Sequence, residues 1–241
     1  VLDRPLFLHA LSVRLQRKLL LHEVSFHLQP EQSLAIVGLN GAGKSTLLKT
    51  IMGLLPIYQG ECRIFGKRPG NPQSRQAIFY LPERPALPLS LTGKEYVCLQ
   101  LAIHNRQTMP KTLDTFLALL DLDPDSLAHR LQTYSKGMLQ KLMLLGMILA
   151  APQLIVLDEV MSGLDFRTRP KVRHLLREYQ QQGGSLLFTT HLVEDVASFA
   201  THVLVLHQGH QYFYGTMEEL RALTTDSTLE AILLDLLKVK A

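Results

Sequence analysis

The sequence predicts an α/β fold: a mostly parallel sheet organised around a phosphate-binding loop, with an antiparallel β-portion and an inserted α-helical subdomain. Three observations carry this. Short apolar runs without polar alternation recur at residues 34–37, 154–157, 186–188 and 203–206, the pattern of strands buried on both faces. A glycine-rich stretch stands directly after the first of these runs and before a helix-like segment. From about residue 92 to 151, strand signal gives way to helical periodicity.

Taken in chain order, Val24, Phe26 and Leu28 alternate with Ser25 and His27, which predicts a half-exposed antiparallel strand. The run at 34–37 feeds Gly38-Leu39-Asn40-Gly41-Ala42-Gly43-Lys44-Ser45, followed by Thr46 and the helical "TLLKTIMGLL". Pro82, Pro85 and Pro88 punctuate the entry to the helical region and Pro152 its exit. Inside it, Leu113, Phe116, Leu117 and Leu120 fit i, i+3, i+4, i+7 and form one apolar face. Near the end, residues 208–211 (Gln-Gly-His-Gln) separate 203–206 from Tyr212-Phe213-Tyr214 and predict a hairpin. With no low-complexity linker and no internal repeat, residues 1–241 are expected to form a single domain. Its α/β core spans 1–91 and 152–220, its helical subdomain 92–151, and its helical tail 221–241.

Apolar residues make up 46% of the chain and charged ones 19%, a globular composition. Lys plus Arg exceeds Asp plus Glu by only 25 − 21 = 4, Trp is absent, and no basic block is interleaved with aromatics. Nucleic acid is therefore not an expected partner. Cys62 and Cys98 stand isolated, with no CxxC and no nearby His pair, and read as reduced packing residues of a reducing compartment. The most apolar stretch, 142–151, is ten residues long, whereas a membrane span needs about 18–20. No crossing of a bilayer is expected, and the N-terminus carries no signal pattern.

Residues 38–45 match G-x-x-x-x-G-K-S/T at every fixed position, in the strand-to-helix context the motif requires. Glycines there let backbone N–H groups turn inward around phosphate oxygens, and the helix N-terminus adds partial positive charge. Lys44 is expected to reach the β- and γ-phosphates and Ser45 to ligate Mg²⁺. A second run, "LIVLDE" (154–159), ends in two acids. Asp158 can hold Mg²⁺, through water, and Glu159 can polarise an attacking water as general base. The competing reading of such a pair is a helix N-cap; a phosphate loop in the same chain favours chemistry. His191 follows the strand-like "SLLFTT", at the strand end where open α/β sheets bind ligands, and can contact a γ-phosphate there; taken alone it reads as an incidental histidine. The other nine histidines, His207 and His210 among them, read as incidental.

"TYSKGMLQK" (133–141) reads as a short polar turn opening an apolar helix at 142–151, which leads through Pro152 into "LIVLDE". With this arrangement the chain resembles the ATP-binding subunit of ABC transporters over essentially its whole length. Tyr134-Ser135-Lys136-Gly137-Met138 stands where that family has its Leu-Ser-Gly-Gly-Gln signature. Ser162-Gly163-Leu164-Asp165 resembles its D-loop, and His191 its switch histidine. The resemblance implies a P-loop NTPase core of the ABC type and ATP and Mg²⁺ as cofactors. It also implies a head-to-tail dimer with a second copy of the chain or a paralogue. Two ATP molecules would be sandwiched, each between one subunit's residues 38–46 and the other's Ser135, Lys136, Gly137 and Met138, with Asp165 alongside.

Several positions depart from the commonest family pattern. Glu83, in "YLPERPAL", holds the place of the Q-loop Gln. With the Tyr-Ser-Lys-Gly-Met signature and the tail "STLEAILLDLLK", it resembles a branch of exporters whose permeases are separate polypeptides. Glu83 is expected to ligate Mg²⁺ or to hydrogen-bond the nucleophilic water; the alternative is a solvated surface acid. Val160-Met161 replaces the usual Pro-Thr, and Lys136 adds a cation near the γ-phosphate. Leu15 falls where an aromatic normally stacks on adenine. Arg14 or Arg17 can substitute, or Leu15 is a buried strand residue and the base rests elsewhere. The expectation is an ATP-hydrolysing subunit of an exporter, cytoplasmic and peripheral on the inner face of the cell membrane, energising a separate integral permease. The alternatives are a soluble ABC ATPase serving assembly, repair or translation, and a nucleotide-gated binding module with little turnover. Glu159 and His191 both being present argue against the last.

Overall fold

The computed structural model describes residues 4–84, 86–106, 109, 111–223 and 228–238, so parts of the expected tail (224–227 and 239–241) lie outside the described residues. Among the described residues nine strands form one sheet: β1 (Leu6–Leu15), β2 (Lys18–Leu28), β3 (Ser33–Val37), β4 (Gln59–Arg63), β5 (Ile78–Leu81), β6 (Leu154–Asp158), β7 (Ser185–Thr189), β8 (His202–His207) and β9 (His210–Thr216). Their order is β4-β1-β2-β9-β8-β3-β7-β6-β5. The five strands from β8 to β5 run parallel, whereas β4-β1-β2 and the β8–β9 hairpin are antiparallel. The two parts meet at one residue pair, His22 with His210. This is the mostly parallel sheet with an antiparallel portion that the sequence predicts.

The absence of alternation in the parallel strands has a direct cause. Leu34 and Ile36 of β3, with Leu154, Val156 and Leu187, enter a core shared with Leu47, Leu48 and Ile51 of α1 (Lys44–Ile51). Ala35 and Val37, with Ile155, Leu157, Leu186 and Phe188, enter a second core on the opposite face. Both faces are covered, so both sets must be apolar, at about 1.5–3 kcal/mol for each fully buried large side chain. In β2, Val24, Phe26 and Leu28 are buried and Ser25 and His27 are not, as their alternation predicts.

The remaining helices are α2 (Pro72–Ala77), α3 (Gly93–Ile103), α4 (Leu113–Leu119), α5 (Lys136–Ala150), α6 (Thr168–Gln181), α7 (Val193–Phe199), α8 (Met217–Arg221) and α9 (Leu229–Lys238). Leu117 and Leu120 of the 113–120 pattern are fully buried. α5 is enclosed along much of its length, with Leu142, Leu144, Leu145 and Leu149 in the second core beside Tyr96, Val97 and Leu101 of α3. From Leu142 onward α5 is apolar on all sides, as a core helix is; among the described residues no helix is long and apolar enough to cross a membrane.

Two expectations are corrected. The polar stretch 133–141 is not a turn ahead of the helix: α5 begins at Lys136, and the Ser135 side chain caps it by accepting the Met138 N–H at 3.2 Å. Its first turn is polar because it faces outward, not because it is non-helical. Cys62 is buried, but Cys98 is exposed on α3 and is not a packing residue.

Candidate active site

The phosphate loop runs from the end of β3 to the start of α1, and two glycines are needed for its path. Gly38 lies against the Leu206 carbonyl of β8, where a side chain has no room. Gly43 takes φ 106°, in the left-handed region, and a Cβ there would meet Leu21. The turn of the β8–β9 hairpin grips the loop from outside, Gly209 N–H donating to the Ala42 carbonyl at 2.9 Å. Lys44 is buried; its Nζ donates to Gly38 O at 2.7 Å and stands 3.6 Å from Glu159 Oε1.

Around this loop is a cavity of about 440 Å³ lined by Leu20, Asn40, Gly41, Ala42, Gly43, Lys44, Ser45, Thr46, Glu83 and Glu159. Glu83 therefore shares the phosphate loop's cavity although its side chain is half exposed, with Arg84 Nε 3.7 Å away. It is neither remote from the site nor desolvated. Leu20, on β2, is a cavity residue that sequence reading did not single out.

The acids arrive from β6, two strands from β3, with β7 between them. Asp158 is buried, and its Oδ1 accepts Thr189 Oγ1–H at 2.7 Å from β7. Burial first, and the Asp158 charge second, push the Tyr80 hydroxyl pKa up. Glu159 takes φ 52°, an uncommon conformation for a non-glycine residue. Its N–H donates to Thr189 Oγ1 at 3.0 Å. Glu159 stands at the N-cap position of the short 3-10 turn Val160–Gly163, yet its side chain makes no capping bond. It faces Lys44 and His191 instead, with His191 Nδ1 3.1 Å from Oε2. The N-cap reading of the acid pair does not describe this geometry. Val160 and Met161 are buried in the core, so the turn keeps its shape by packing without a proline.

Ser135, Lys136 and Gly137 are exposed and Met138 half-buried at the start of α5; none of them lines the cavity of their own chain. Tyr134 anchors this end, its buried hydroxyl donating to Ser126 O at 2.6 Å. α5 is tied to the acid loop by Gln140, whose Nε2 donates to Val160 O at 2.6 Å, and by Lys141, whose Nζ lies 3.8 Å from Asp165 Oδ2. Asp165 does not line the cavity either. Its carboxylate accepts from Thr168 N–H and Oγ1–H and from Arg167 N–H at the start of α6, and these bonds hold its pKa down at about 2. Leu15, at the end of β1, is 52% exposed, so it is not a buried strand residue. The Arg14 guanidinium lies 3.6 Å from the Tyr58 ring centroid and is already stacked.

A phosphate loop, an acid pair on a nearby parallel strand and a histidine at the end of the strand between them define a P-loop nucleoside triphosphatase. The family model described as ABC transporter matches residues 21–162. The ABC-type transporter ATP-binding protein EcsA of Bacillus subtilis (strain 168) is 33% identical over 231 residues, 93% of either chain. A solved ATP-binding subunit of an ABC transporter has a TM-score of 0.89 at 28% identity, covering 97% of this chain and 99% of that one. A dimeric ATP-binding cassette in a post-hydrolysis state, bound to ADP and Pi, shares the fold at a TM-score of 0.77 and 20% identity, covering 88% and 98%. The chain belongs to the ABC transporter family, as one of its ATP-binding ATPase domains.

Proposed function

We propose that the chain is the ATP-hydrolysing subunit of an ABC exporter, working as a head-to-tail dimer on the cytoplasmic face of the membrane and driving a separate permease. The observation that carries this reading is the position of the signature. Ser135, Lys136 and Gly137 are exposed at the N-terminus of α5 and take no part in the phosphate cavity of their own chain. A helix N-terminus with an added lysine suits an anion, and a second copy can bring it to the γ-phosphate. Ser135 Oγ accepts the Met138 N–H, which leaves its O–H to donate to a phosphate oxygen.

Within each site, the phosphates replace Gly38 O and Glu159 as partners of Lys44. Glu159 accepts a proton from the attacking water, and His191 holds the Glu159 carboxylate in place. Mg²⁺ fits the donors available, since Ser45 Oγ and the Asp158 carboxylate, the latter through water, offer the hard oxygens it takes; when bound it neutralises phosphate charge. Hydrolysis removes the bridging anion and lets the two subunits part. Glu83 in the cavity wall, together with the Tyr-Ser-Lys-Gly-Met signature, supports the exporter branch, and the transporter names of the relatives support a membrane partner. Phosphate release by the purified chain, with and without any six-span membrane protein found in a neighbouring reading frame, tests the reading. Mg-ATP hydrolysis stimulated by a six-span membrane protein is expected. Turnover indifferent to any membrane protein would point instead to a soluble ABC ATPase.

A further inference from the structure

We infer that Thr190 and the buried Asp195 are positioning residues that set the aim of His191 at Glu159, with Arg173 holding the Asp195 carboxylate in place. The inference rests on the reading of His191 as the group that holds Glu159 for water activation.

His191 lies outside helix and strand, between Thr190 and Leu192. Thr190 bridges over it: its Oγ1 accepts the Leu192 N–H at 3.0 Å and donates to Asp195 Oδ2 at 3.1 Å. A hydroxyl has one proton and two lone pairs. Because the Asp195 carboxylate can only accept, it takes that proton, and a lone pair of Oγ1 is thereby turned toward Leu192. The backbone on both sides of His191 is pinned by one oxygen, and the ring is delivered 3.1 Å from Glu159 Oε2.

Asp195 is fully buried, as its partner Thr190 nearly is. Its other oxygen, Oδ1, accepts from Arg173 Nε at 2.8 Å and Nη2 at 2.6 Å, a two-donor contact from α6. Arg173 Nη2 also donates to Glu194 at 3.1 Å. Both carboxylate oxygens are thus satisfied. A buried ion pair of this kind adds little net stability over an apolar pair of similar volume, whereas an apolar pair cannot orient the Thr190 hydroxyl. Neither Asp195 nor Arg173 lines the phosphate cavity, so their effect on turnover must pass through His191.

The test is a double-mutant cycle on the whole chain at saturating Mg-ATP. Thr190→Val removes the hydroxyl at constant shape. Because small misplacements of catalytic groups are costly, a loss of about 10- to 100-fold in kcat is expected, with ATP affinity within about twofold and Thr190→Ser restoring most of the activity. In a His191→Ala background the same change should cost nothing further, since residues that act as one unit are not additive. A merely structural role would multiply the two losses. Asp195→Asn, read the same way, replaces Thr190→Val should that variant not fold. Wild-type turnover in Thr190→Val, or full multiplication of losses in the double variant, would overturn the inference while leaving His191's role standing. Unchanged turnover in His191→Ala would remove both.

Discussion

Lys44 Nζ stands 3.6 Å from Glu159 Oε1 while donating to Gly38 O, so the cation suited to phosphate and the base suited to water hold one another. A triphosphate must take Lys44 over before Glu159 can turn to water. Lys44→Ala removes the main cation of the cavity and is expected to abolish turnover and weaken ATP binding at least about tenfold, or ~1.4 kcal/mol. Calorimetric affinity and phosphate release measure both. Tight binding with normal hydrolysis in this variant would remove the assignment of the loop.

Base recognition should be weak. Leu15 is exposed where the resemblance calls for an aromatic, and Arg14 is already stacked on Tyr58. Stacking a base on an aromatic ring is worth roughly 1–3 kcal/mol in nucleic-acid complexes, and leucine offers no π-face. ATP and GTP are expected to bind with similar, modest affinity. Leu15→Tyr should tighten ATP by up to about tenfold. A strong wild-type preference for ATP that Leu15→Tyr leaves unchanged would point to another adenine contact.

The two thiols should behave differently. Burial is the first cause that pushes the Cys62 thiol pKa up to about 12, so near pH 8 only roughly one molecule in ten thousand carries the reactive thiolate. Cys98 is exposed on α3. Iodoacetamide followed by peptide mass spectrometry should find Cys98 alkylated in the folded protein, and both thiols alkylated after denaturation. Equal modification of Cys62 in the folded protein would contradict the packing of β4 against β1.

What could be read from the sequence follows from where each element sits. β3, β6 and β7 are covered on both faces, and their unbroken apolar runs say so. β4, Gln59–Arg63, is an edge strand paired only with β1, and of its residues only Cys62 is buried; pairing makes it a strand, and pairing leaves no local pattern. Helix α6 did carry a signal, since Val172, Leu175 and Leu176 repeat at i, i+3, i+4, but its charged residues masked it. The fixed-position glycines, Lys44 and the acid pair were legible because phosphate chemistry requires those residue types at those spacings. The bonds that orient them were not. Thr189 meets Asp158 across 31 positions, and Gln140 meets Val160 across 20. Such contacts exist only once the sheet and α5 are assembled.

If ATP closes two copies of this chain head to tail, Glu159→Gln should trap the closed pair. Glutamine keeps the shape of Glu159 but cannot accept the proton from water, and it removes the charge that pairs with Lys44. Size-exclusion chromatography with light scattering should show this variant as a particle of twice the 27.2 kDa of one chain at saturating Mg-ATP, and as a monomer without nucleotide. A strictly monomeric Glu159→Gln protein that binds ATP fully would contradict the account.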